Sequence, residues 1–124
     1  MKVVTVVVEN QTGHCPNNNK RFSFIKNNIK ENESTDIILF PACYFYFNHQ
    51  RAFRINRLCN KISAFIETTG FLGTVCVGID CDGGNDQLAV AINSGGIQAM
   101  GRKFHPTADE NGCIRQAKNY NDLE

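Results

Sequence analysis

The chain has 124 residues, 42% of them hydrophobic and 20% charged, with 13 Lys and Arg against 12 Asp and Glu. That mixture excludes a disordered or fibrous chain and fits one globular domain, and its charge balance lacks the basic excess of a dedicated nucleic-acid binder. The longest nearly unbroken apolar run, Ile37 to Phe47, is far short of the ~20 residues that span a bilayer, and no cleavage-site pattern follows MKVVTVVVEN, so the expected compartment is the cytoplasm with no membrane partner.

Val3 to Val8 is a near-continuous β-branched run, the pattern of a strand covered on both faces inside a sheet. A polar loop, Gln11 to Asn19, follows. Phe22, Ile25 and Ile29 then recur at intervals of three and four, which predicts a helix from Asn19 to Glu33, with Asn17, Asn18 and Asn19 as candidate N-caps. Asp36 to Pro41 predicts a second buried strand. Ile55, Leu58, Ile62, Phe65 and Ile66 predict a second helix from Gln50 to Thr68, ended near Gly70 and Gly73. Three strand candidates complete the pattern: Thr74 to Ile79, Gln87 to Ile92 and Ile97 to Arg102, with glycine-rich turns between them. This order implies right-handed crossovers onto a parallel core, extended by hairpins into a mixed sheet with the two helices on one face.

Six cysteines (Cys15, Cys43, Cys59, Cys76, Cys81, Cys113) include no Cys-x-x-Cys pair, and the three histidines have no ligand rhythm. No metal or cofactor is expected, and most of the thiols read as small apolar fillers. Asp80, Asp82 and Asp86 lack the ordered oxygen series of a calcium loop and read as a turn. The aromatic patch Tyr44 to Phe47 suits core packing, a pocket or an interface equally. Lys103 stands where a strand ends, the usual place for functional groups in α/β sheets, and reads either as a site residue that meets Glu110 or as a surface lysine beside a turn made by Pro106.

Arg102, Lys103, Pro106, Thr107 and Glu110 spell Arg-Lys-x-x-Pro-Thr-x-x-Glu. VVTVVVEN, DIILFPACYF, GTVCVGID and LAVAINSGGIQAMGRK precede it in the order of a first strand, a strand ending in Phe-Pro, a third strand and a hairpin. In this order of pieces, over residues 2 to about 110, the chain resembles the N-terminal half of the carbon–nitrogen hydrolase (nitrilase) superfamily domain. The resemblance implies half of an αββα sandwich over residues 1–110, with residues 111–124 as a polar tail. It also implies hydrolysis of a nitrile or amide by a cysteine nucleophile, a glutamate base, a lysine that stabilises the tetrahedral intermediate and a second, supporting glutamate. Lys103 matches the lysine and Glu110 the second glutamate.

Two departures from the pattern shape the functional expectation. The base position, directly after Phe40-Pro41, is Ala42, and a methyl group accepts no proton. The family's nucleophile lies on a strand after the lysine motif; no such strand follows in these 124 residues, and Cys113 stands in the polar tail. Cys43 reads either as a reactive thiol, if Lys103 lies close enough to lower its pKa, or as a buried cysteine beside Tyr44 and Phe45; His105 falls at a variable position of the motif. The chain is therefore expected to be a truncated or degenerate nitrilase-like protein, inactive as an isolated chain, with a small nitrile or amide as its candidate ligand. The alternative is a non-catalytic assembly module. In either case an uncovered sheet face or edge is expected to pair as a homo-oligomer or with a complementary chain.

Overall fold

The computed structural model describes residues 1–8, 17–47, 51–81 and 86–102. Strand β1 is Val3–Thr5, helix α1 Asn18–Glu31, β2 Ile37–Leu39, β3 Phe45–Phe47, α2 Arg51–Thr69, β4 Thr74–Cys81, β5 Asp86–Asn93 and β6 Gly96–Arg102. The strands form one mixed sheet in the order β1-β2-β4-β5-β6, parallel from β1 to β4 and antiparallel beyond it. Because β1, β2 and β4 advance in one direction across the sheet, right-handed crossovers place α1 and α2 on the same face, where they pack against each other. The expected α/β layering, a mixed sheet with two helices on one face, is the observed one.

The core lies between this helical layer and the sheet. Ile25 and Ile29 of α1 and Ile55, Leu58, Ile62 and Ile66 of α2 bury the predicted stripes against Val75, Val77, Ile79, Val90 and Ile92. Among the three candidate caps, Asn17, itself in an extended conformation, is the N-cap of α1, and its side chain accepts from the Lys20 amide at 3.1 Å. Gly70, at φ +74°, closes α2. The Ser63 hydroxyl donates to Asn93 O at 2.8 Å, which pins α2 to the β5–β6 turn.

Two expectations need correction, on the first strand and on the aspartates, and the core reading of the aromatic patch is the one observed. The Val3–Val8 run is not an interior strand covered on both faces: among the described residues β1 is an edge of the sheet, with Val4, Val6 and Val8 on the core but Val3 and Val7 47% and 87% exposed. A β-branched run reports a pleated backbone, not the number of layers around it. The aromatic patch is mostly core, since Tyr44 and Phe45 are buried, and its last three residues form β3. Asp80 and Asp86 stand within strands and not in a turn; Asp82 lies outside the described residues.

Candidate functional site

Leu39 pairs with Cys76 and Phe45 with Ile79, so residues 40–44 lie opposite only two residues of β4, Val77 and Gly78. β2 and β3 are therefore one line of strand along β4, interrupted by a detour at Pro41, Ala42 and Cys43. The ladder resumes on each side: Phe40 N donates to Cys76 O at 2.9 Å, and Tyr44 N donates to Gly78 O at 3.0 Å. Pro41 has no N–H to offer a ladder, which suits it to the exit. Cys43 makes the return with φ +55°. The detour lies so close to β4 that a Cβ on Gly78 would stand 2.5 Å from Ala42 Cα and 2.7 Å from Cys43 N. Only glycine fits there.

A cation holds the outer side of the detour. The Arg21 guanidinium on α1 donates to Tyr44 O and, at 3.4 Å, to Cys43 O, and its carbon lies 5.3 Å from the Tyr44 ring centroid. Two hollows meet at Ala42 and Cys43. One, of about 680 Å³, opens over the ends of β1 and β2 beside Arg21. The other, of about 370 Å³, is bounded by Asp80, Gln87, Ala89 and Gly101. Ligands of α/β sheets occupy this carboxyl end of the strands.

The second hollow contains a thiol and a carboxylate in contact. Asp80 is 8% exposed, and the Cys43 thiol is hydrogen-bonded to it. Burial, then the hydrogen bond to Asp80 and its negative charge, push the Cys43 pKa up to about 11, against a smaller lowering by Arg21. The buried reading of Cys43 does not hold, because the residue is exposed; the reactive reading depends on Lys103, which lies outside the described residues, while burial and Asp80 push the thiol's pKa up. Arg102, the last residue of β6, pairs through Nε with Asp86 Oδ1 at 3.1 Å.

Ala42, Cys43 and the end of β6 thus converge on one cavity, and Lys103 is the next residue of the chain after Arg102. Lys103, His105, Glu110 and Cys113 themselves lie outside the described residues, as does the boundary between residues 110 and 111. Sequence reasoning missed Asp80 as a member of the site. Its signal was present: GTVCVGID is an apolar strand ending in a carboxylate. Arg21 was missed for a different reason, because nothing in α1's periodicity indicates that it caps carbonyls 22 and 23 residues away.

No family model matches the chain, and no curated protein matches it. Among solved structures the fold is similar to that of Nit3 from Saccharomyces cerevisiae, a member of branch 10 of the nitrilase superfamily, at 15% identity and a TM-score of 0.49. The alignment covers 87% of this chain and 46% of that one, so this chain spans about half the length of that protein.

Proposed function

We propose that the chain is a nitrilase-like α/β protein that does not hydrolyse carbon–nitrogen bonds by itself and whose cavity receives a small nitrile or amide as a ligand and not as a substrate. Ala42 carries this reading: the residue after Phe40-Pro41 stands exposed at the cavity with a methyl group where the resembled family has its general base. The adjacent thiol supports it. A cysteine with a pKa near 11 supplies almost no thiolate at neutral pH, and the thiolate is the nucleophile.

The test is incubation of the full chain with short nitriles and amides, read by ammonia release and intact mass. The expected result is no release above background and no adduct. Loss of one member of a catalytic set costs orders of magnitude and the losses are not additive, so Ala42→Glu alone stays inactive and Lys103→Ala alters binding or stability at most. Turnover by the unmodified chain, or an acyl adduct on Cys43, overturns the proposal.

A second reading, assembly with another copy of the chain, is favoured by a specific observation. The sheet face opposite the helices carries Val3, Thr5, Val7, Leu39, Ala89 and Ala99, all exposed and none charged. Parallel strands such as β1, β2 and β4 occur almost only where both faces are covered. Exposed side chains without charge are complementary to their own copies, as a two-fold interface requires, and Asp80, which shares this face, is buried.

A further inference from the structure

The near-zero net charge of the chain hides a sorting of charge between its layers. The two helices hold eight of the 13 Lys and Arg but only two of the 12 Asp and Glu, Glu31 and Glu67. Arg54, Arg57 and Lys61 follow one another at three and four residues and therefore share one face of α2. All three are exposed, and among the described residues no carboxylate pairs with them. They border a groove of about 580 Å³ between α1 and α2, whose other walls include Phe22, Phe47 and Phe53. Phe53 is 68% exposed. The basic strip continues along α1, where Lys26 lies 5.0 Å from the Phe22 ring centroid and Lys30 lies 5.7 Å from that of Phe65.

We propose that this groove binds single-stranded nucleic acid, with Arg54, Arg57 and Lys61 on the phosphates and Phe53 as a stacking platform for a base. Charge complementarity selects a polyanion. The exposed ring selects among polyanions, because a base presents a flat π-face to an aromatic side chain and an acidic peptide segment does not. Strand separation is required too: a duplex keeps its bases stacked on one another and offers Phe53 no free face. The site lies on the helical side of the sheet, whereas Asp80 alternates with the helix-facing Ile79 and Cys81 and belongs to the opposite side. The proposal therefore stands whether or not the Ala42 cavity has any activity.

Fluorescence anisotropy of the full chain with labelled 12-nucleotide single strands, in a salt series, tests it. The expected result is micromolar binding at low salt that weakens steeply with salt, as phosphate contacts do. Arg57→Gln weakens binding and reduces the log–log salt slope by about 0.7. Phe53→Ala weakens it several-fold with the slope unchanged, a separation that general charge attraction does not produce. Both side chains are exposed, and circular dichroism checks that the variants stay folded. Absence of binding at low salt overturns the proposal, as does indifference to Phe53→Ala. Equal or tighter binding of duplex, of an acidic peptide or of anionic vesicles also overturns it, and assigns the strip to that partner.

Discussion

Cys43 shows how a backbone irregularity sets the chemistry of a side chain. Its backbone is left-handed and its thiol meets the Asp80 carboxylate; burial first, and then that contact, raise its pKa to about 11. Alkylation by iodoacetamide follows the thiolate, so Cys43 reacts with a midpoint well above that of an ordinary thiol. Asp80→Asn removes the negative charge and shifts the midpoint to lower pH; Arg21→Met removes the opposing cation and shifts it higher. Peptide mapping across a pH series reads both shifts, and no movement in Asp80→Asn contradicts the contact. Gly78 is the other residue on which the detour depends. In Gly78→Ala the new methyl meets only backbone, Ala42 Cα, Cys43 N and Pro41 O, all within 2.8 Å. No flexible side chain can give way, so the expected loss is about 2 kcal/mol or more, measured by urea denaturation. Wild-type stability in that variant would mean that the detour does not lie on Gly78.

At the scale of elements, α2 and β2–β3 contrast in how far the sequence foretells them. The stripe of α2 is written in its own spacing, and the structure places four of its five marked residues fully in the core, with Phe65 packed at the margin. The spacing does not mark Cys59, which is buried between the turns that carry Ile55 and Ile62. Burial raises its thiol pKa from 9.0 to about 11. Below pH 9 the folded and unfolded chains both keep that proton. As pH rises the unfolded chain releases it first, so stability falls between pH 9 and about 11, by roughly 3 kcal/mol at most for a two-unit shift. Urea midpoints under reducing conditions measure the decline, and Cys59→Ala, though less stable overall, shows a shallower one. The β2–β3 line was less legible. DIILFP reads correctly as a strand reaching its end, but its continuation after three displaced residues depends on β4 offering Gly78 O to Tyr44 N, and no local pattern encodes that partner.

For the whole molecule, the decisive feature is that the sheet has helices on one face only among the described residues. Five strands about 4.8 Å apart and about six residues long present roughly 20 by 20 Å, so two such faces together bury on the order of 1,000 Å², near the lower limit of a specific dimer. Light scattering is expected to give twice 13.9 kDa at high micromolar concentration, and Leu39→Glu, on that exposed face, to give a folded monomer. A monomer at every concentration, or a dimer unaffected by Leu39→Glu, counts against pairing through this face. From the sequence alone came the order of helices and strands apart from β3, the stripes of α1 and α2, the glycine that closes α2, the mixed sheet and the absence of a carboxylate at position 42. Each is a property of spacing or of a single residue type, which neighbours in the chain suffice to express. Only the tertiary structure decided that β1 is an edge, that Asp80 stands against Cys43, that Arg21 holds the detour, and that a chain of nearly balanced charge carries a basic helical layer. Those facts depend on which distant segments share a face, and such contacts are set by packing between elements rather than by the period within any one of them.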